Sequence, residues 1–266
     1  MSHSGGPTWS LLGTTLHIAI GIGCSVDPDH LNVGIIEAEE RRRCWAALTM
    51  LYIIQNICFG NTMPFRIQAD VALPADIDDE DLTDTRRGSV PSSSGQLTQM
   101  SYLLCKFRLY NLAFDICRLS SSKPLQSRQS TMKLDHKLGE ELKRHMSLFD
   151  NATDMPFYHV AHFYIVNNYT HHLYLLLHRP FLGAVESDPS TERRTQIRES
   201  SQRCTKSAMK ILSNFESFHH NPNLKPYNWY IYGFGSFQAL LAITTLGEYG
   251  QGRHRSYCKS RNANDH

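Results

Sequence analysis

Residues 37–59 read EAEERRRCWAALTMLYIIQNICF, from Glu37 to Phe59, and the physical reading of this stretch decides the class of fold. Glu37, Glu39 and Glu40 precede Arg41, Arg42 and Arg43, which sets carboxylates at the positive end of a helix with arginines three or four positions on. Behind them Trp45 to Phe59 is apolar but carries Thr49, Gln55 and Asn56. The run falls short of the roughly 18 residues that span a bilayer. A buried helix from about Ile36 to Phe59 accounts for it. Exposed charge pairs within a helix contribute only about 0.3–0.5 kcal/mol each, so a solvated, self-paired helix start is one reading of the arginines. The sharper reading is that one arginine is partly buried and ties this helix to a neighbour through a fork-shaped pair.

Upstream, Trp9, Leu12, Leu16, Ala19 and Ile20 fall at helical spacing and predict a helix over about 8–22, ended by Gly21 and Gly23. Asp27-Pro28 marks a turn. Downstream, Gly60, Met63-Pro64-Phe65 and Leu73-Pro74 lead into the acidic run Asp76, Asp78, Asp79, Glu80 and Asp81. A Gly-, Ser- and Pro-rich stretch, about 84–96, lacks apolar periodicity and reads as an exposed, mobile connection. Helices are then expected over about 97–119, 131–148, 156–179 and 190–217, with a polar loop at Ser120–Ser130 and a break at Arg179-Pro180. Pro226 is expected to open a last helix ending near Gly247. No strand-length alternating runs compete, so the class is all-α, either a multi-helix bundle or an irregular stack of helix pairs. One domain over residues 1–249 is expected, followed by a polar basic tail, 250–266, that reads as frayed.

Composition narrows the function classes. The chain has 266 residues, 41% of them hydrophobic and 20% charged, as in ordinary globular domains. A net charge of +2 and a pI near 8.2 give no global field that would advertise nucleic-acid binding, so DNA contact needs a separate basic module. The seven cysteines include no Cys-x-x-Cys pair and several sit in apolar surroundings, which reads as reduced thiols of an intracellular protein. Met1 to Pro7 lacks the basic start and apolar core of a secretory signal.

Two clusters invite enzymatic chemistry. Carboxylates one helical turn apart can hold magnesium against a diphosphate, so Asp76–Asp81 raises the alternative of an all-α magnesium-dependent lyase or transferase. The cluster follows Pro74 directly and precedes Arg86-Arg87-Gly88, which favours a solvated loop or helix cap. His159, His162, His171, His172 and His178 share one predicted helix, but Glu and Asp are absent from Phe157 to Leu182. A zinc site would therefore have to recruit its carboxylate from elsewhere. A third alternative is a protein-interaction module that binds a partner helix and no ligand.

The ordered motifs are similar to the middle homology region of the fungal zinc-cluster transcription factors. The resemblance rests on Glu37-x-Glu39-x-Arg41-Arg42-Arg43-x-Trp45, the turn through Gly60 and Pro64-Phe65-Arg66, Leu73-Pro74 before Asp78-Asp79, and Leu176-Leu177-His178-Arg179-Pro180-Phe181-Leu182. Leu11-Leu12-Gly13 with Ala19 and Gly21, and Cys204 with Ala208, extend it over roughly Trp9 to Gly247. Two departures stand out: Gly60-Asn61-Thr62-Met63-Pro64 replaces a compact Gly-Arg-Pro turn, and Cys44-Trp45-Ala46 carries one tryptophan where two are common.

The resemblance implies a nuclear regulator of RNA polymerase II transcription, with no catalytic, cofactor-binding or metal-binding residue in this chain. It marks Arg41, Arg42, Arg43, Trp45, Gly60, Pro64, Phe65, Pro74, Asp79, His178, Arg179, Pro180 and Phe181 as structural signature positions. Zinc and DNA binding would reside in an N-terminal six-cysteine module that is missing here, as is the coiled coil that pairs relatives, although an oligomer remains open. The partners implied are a small-molecule effector or a co-regulator protein, and no membrane. A chain that starts inside the family's middle region reads as a fragment, a truncated gene model or a degenerate paralogue. Loss of earlier helices would leave apolar faces of Trp9–Ile22 and Ala46–Phe59 uncovered.

Overall fold

The computed structural model describes residues 6–58, 70–82, 97–120, 127–150, 155–182, 191–227, 239–240 and 242–244. Gly60, Pro64, Phe65, Arg66, the connection expected at 84–96 and the tail 250–266 lie outside the described residues. Among those described there is no strand. Six α-helices follow in order: α1 Gly6–Gly21, α2 Ile35–Cys58, α3 Ser101–Ser120, α4 Arg128–Asp150, α5 Phe157–His178 and α6 Thr191–His220. The all-α expectation holds, and the helix limits differ from the sequence reading mostly at caps.

Two of those differences have clear causes. The helix expected from 97 starts at Ser101, because Thr98 accepts bonds at Oγ1 from the Met100 and Ser101 backbone N–H groups and so holds the entry as a turn. Pro226 is not the first residue of the helical turn it lies in, and most of the helix expected from it to Gly247 lies outside the described residues. That turn is 3₁₀, Pro222–Tyr227, and the last described helical residues are 239–240 and 242–244.

The chain divides into two compact units, one of residues 1–121 and 143–154, the other of residues 122–142 and 155–266. In the first, α1 packs on α2 through Leu12, Leu16, Ala19, Cys24, Trp45 and Leu48, with Val71 added from the extended stretch after α2. The other flank of α2, with Ala46, Ala47 and Met50, meets Met100, Leu104 and Phe107 at the start of α3. On α1, Leu11, Ile18 and Ile20 remain exposed, as do Ile22 just after it and Leu51 on α2.

The end of α1 shows why Gly23 is needed. Cys24 N–H reaches Ala19 O at 2.9 Å and Gly23 N–H reaches Ile20 O at 3.0 Å, the paired bonds of a Schellman cap. That cap demands a left-handed residue, and Gly23 supplies it at φ 81°.

In the second unit α5 and α6 form the main helix pair. The buried positions of α6 repeat every seven residues: Ile197, Cys204, Ile211 and Phe218 on one row, Ser200, Ser207 and Asn214 on the next. This is an a/d seam with an apolar a row and a polar d row. Leu175 and Leu182 pack against Cys204, Ala208 and Ile211, while Ala161 packs against Phe218 and Leu224. The polar row finds partners on α5: Asn214 Nδ2 donates to Asn167 Oδ1 at 2.8 Å, Ser207 lies 3.4 Å from His171 Nδ1, and Ser200 lies 3.1 Å from His178 Nδ1. Because position numbers rise on one helix as they fall on the other, the pair is antiparallel.

Candidate functional site

The three arginines of α2 do three different things. Arg41 pairs with Glu37 one turn earlier and donates from Nη1 to Ile22 O at 2.9 Å, holding the end of α1. Arg42, whose side chain is 11% exposed, leaves its own helix and bonds Asp27 at 3.1 Å and Asp29 at 2.6 Å. Arg43 bridges Glu39 at 3.0 Å and Asp79 at 2.6 Å. Each sequence reading is met in part: Arg41 and Arg43 pair along the helix, but Glu39 is buried instead of solvated and Arg43 also reaches Asp79, while Arg42 ties the helix to the Asp27–Asp29 turn through Nη2 alone and not through a fork.

Two buried carboxylates fasten the extended stretch 70–78 to this helix. Asp27 Oδ2 accepts the Ala72 N–H at 2.7 Å. Burial pushes the Asp27 carboxyl up, but the Ala72 and Asp29 N–H groups and Arg42 outweigh it and hold it below its ordinary value. Glu39, 1% exposed, accepts the Ala75 N–H at 3.0 Å. Pro74, between them, is buried.

The acidic run is spent on structure. Asp76 accepts from the Thr98 and Ser101 hydroxyls, Asp78 accepts the Gln99 N–H at 2.7 Å, and Asp79 holds Arg43. These carboxylates cap the entry to α3 and bind an arginine instead of converging on a common point. Among the described residues no group of three or more His, Cys, Asp or Glu side chains could hold a metal ion.

A cleft of about 170 Å³ opens between α2, residues 71–73 and α3. Trp45, Met50, Ile53, Val71, Leu73 and Phe107 line it with apolar side chains, Thr49 and Asn111 add polar ones, and the surface open to the cleft is more polar than apolar. Among the described residues no charged side chain lines it. Trp45 thus belongs both to the α1–α2 core and to the cleft wall. Sequence reading missed the cleft because its three walls come from segments far apart in the chain.

In the second unit the histidine helix is committed to packing. His178 Nε2 lies 2.9 Å from Asp135 Oδ1, and Arg203 Nε donates to the same oxygen at 2.7 Å while its Nη2 reaches Oδ2. Asp135 of α4 thereby joins α5 and α6. Burial raises its pKa, but His178 and Arg203 outweigh burial and draw it down to about 2. The Arg203 guanidinium also sits over the Tyr174 ring at 4.5 Å.

Ser200, His178 and Asp135 are connected in the order of a nucleophile, a base and its orienting acid. Ser200 is 1% exposed and Asp135 is already taken by Arg203, so no substrate carbonyl reaches this serine while the helices are packed. His171 is pushed down to about 4 by burial and by Lys210, Arg203 and Lys206, and His172 is lowered by burial and by Arg179. Phe181 is buried under the Arg193 guanidinium, Pro180 is half-buried, and the Arg179 side chain is exposed.

Comparison with known proteins adds an independent line. The family model described as fungal specific transcription factor domain matches residues 5–145. The chain is similar to the Zn(2)-C6 fungal-type transcription factor pigI of Monascus ruber, 28% identical over 226 residues, covering 80% of this chain and 26% of that protein. It is similar to the Pyrrolocin cluster transcription factor fsdR of a fungal species, 28% identical over 219 residues, covering 77% and 27%. With the Zn(2)-C6 fungal-type transcription factor mpsB of Macrophomina phaseolina it shares 26% identity over 255 residues, covering 90% and 33%. The chain spans about a quarter to a third of the length of these relatives. No solved structure matches it.

Proposed function

The chain belongs to the fungal specific transcription factor domain family and is a regulatory domain of a fungal transcription factor, and from that premise we propose that a small effector seated in the Trp45 cleft sets its output. It acts in the nucleus on RNA polymerase II transcription, as a regulator and not as an enzyme, and DNA is contacted by a zinc-cluster module distinct from these helices. The relatives' names support this reading for those proteins.

The observation that carries the effector reading is the composition of the cleft. Apolar side chains beside a mainly polar open surface that includes Thr49 and Asn111 suit a neutral molecule that joins an apolar part to several hydrogen-bonding groups. At about 170 Å³ the cleft is smaller than the roughly 300–1,000 Å³ of pockets for drug-sized ligands, which points to a small molecule. An effector shifts output only by binding one arrangement of these walls more tightly than another.

The test fuses the chain to a heterologous zinc-cluster reader and measures a reporter in a fungal host, with and without Thr49→Phe, which fills the cleft. A reporter level locked against changes in growth condition, at unchanged protein level and melting temperature, is expected of the variant. Identical responses from both fusions would overturn the cleft as the control point, and a fusion without effect on the reporter would overturn the regulatory reading.

A further inference from the structure

The loop after α1 and the first turns of α2 place two reduced thiols beside each other. Cys24 is 4% exposed, fixed at the Schellman cap and packed against Ala19, Trp45 and Leu48. Along α2, positions 41, 44, 45 and 48 share one face. That face meets the cap at both edges, through Arg41 on Ile22 O and through Leu48 in the core. Cys44 lies between those contacts, is exposed to solvent, and its thiol interacts with that of Cys24. One sulfur is thus open to a solution oxidant while the other waits behind it.

We propose that Cys24 and Cys44 form a peroxide-sensitive dithiol, closing to an intramolecular disulfide that clamps the end of α1 to α2. The proposal does not rest on the effector reading, although Trp45 and Val71 are shared with the cleft wall. Cys44 as thiolate attacks one oxygen of hydrogen peroxide, the O–O bond breaks, and the departing hydroxide takes a proton to leave as water, giving a sulfenic acid on Cys44. The Cys24 sulfur then attacks that sulfur, the S–O bond breaks, and the hydroxide takes the Cys24 proton as a second water. Two thiols lose two electrons and one peroxide gains them. Burial pushes the Cys24 thiol up, as does Cys44, whereas the Arg41 guanidinium favours its thiolate, an arrangement that suits Cys24 to the resolving role and exposed Cys44 to the first attack.

The test treats the full chain with a few equivalents of hydrogen peroxide and maps its peptides without reduction by mass spectrometry. The expected product is a Cys24–Cys44 linked peptide lighter by two hydrogens, absent in Cys24→Ser and in Cys44→Ser but retained in Cys58→Ser, which removes the second thiol of the Cys44 tryptic peptide. The oxidised wild type should also melt several degrees higher than the reduced form, and neither linking variant should show that rise. Sulfinic acid on Cys44 without the link, a Cys44–Cys44 bond between two chains, or a Cys24–Cys58 link would each overturn the proposal.

Discussion

Replacing Asp135 by Asn tests the latch that joins α4, α5 and α6 in the second unit. The variant keeps the shape of the side chain and removes the charge that Arg203 and His178 share. The Asp135 pKa falls from 3.8 to about 2, which at about 1.36 kcal/mol for each tenfold corresponds to about 2.4 kcal/mol, or about a 60-fold change in the unfolding equilibrium. The sign follows from the direction: the folded state prefers the carboxylate, so the contribution is complete above about pH 4 and is lost as pH falls toward about 2. Hydrogen exchange at pH 7, read on peptides of α5 and α6, should show protection reduced by that order in Asp135→Asn. Urea midpoints followed by circular dichroism should converge between the two proteins as pH drops from 5 to 2.5. A loss of the same size at both ends of that range, or no loss at pH 7, would refute the claim that charge on Asp135 holds the three helices.

Removing Glu39 by substitution to Ala should cost about 3 kcal/mol, since it strands the Ala75 N–H and leaves Arg43 without its buried partner; a fall of roughly 6–12 °C in the melting midpoint is expected. Asn167→Leu alone should destabilise by about 1–3 kcal/mol because Asn214 loses its partner, and adding Asn214→Leu should recover most of it in a double-mutant cycle measured by urea. His171 is drawn down to about 4 in the fold, so the unfolded chain takes up its proton first and stability is lost as pH falls from about 6.5 toward 4. His171→Phe should flatten urea midpoints across that window, with no flattening counting against a buried neutral imidazole.

Much of the helical order was legible because each helix carries its own period. The pairs Glu37–Arg41 and Glu39–Arg43 were legible for the same reason, being one turn apart. Burial of Glu39 and the reach of Arg42 to Asp27 were not, since their partners at Ala75 and in the Asp27–Asp29 turn are set by tertiary packing. The acidic run looked like a metal site in composition, yet its carboxylates point to different donors. On α6 the signal was present and hidden. Ser200, Ser207 and Asn214 recur every seven residues in step with Ile197, Cys204, Ile211 and Phe218, but polar residues on the d row do not register in a search for apolar stripes.

On the proposed effector reading, the way the cleft is walled suits a switch. Its α2 and α3 sides are backed by the apolar cluster of Ala46, Met50, Met100, Leu104 and Phe107. Its third side, residues 71–73, is held differently: Val71 touches the α1–α2 core, Leu73 is exposed, and the backbone is fixed by the Ala72 N–H on Asp27 and the Ala75 N–H on Glu39. Each such hydrogen bond to a charged group is worth about 1.5–3 kcal/mol, while allosteric couplings are typically about 1–3 kcal/mol. An effector that pressed on this wall would therefore compete with interactions of its own size, and not with a packed core. The two carboxylates that hold the wall are tied in turn to Arg42 and Arg43. A shift of residues 71–75 thus reaches the arginines of α2 directly, and on the proposed effector reading the most recognisable stretch of the sequence would transmit occupancy of the cleft.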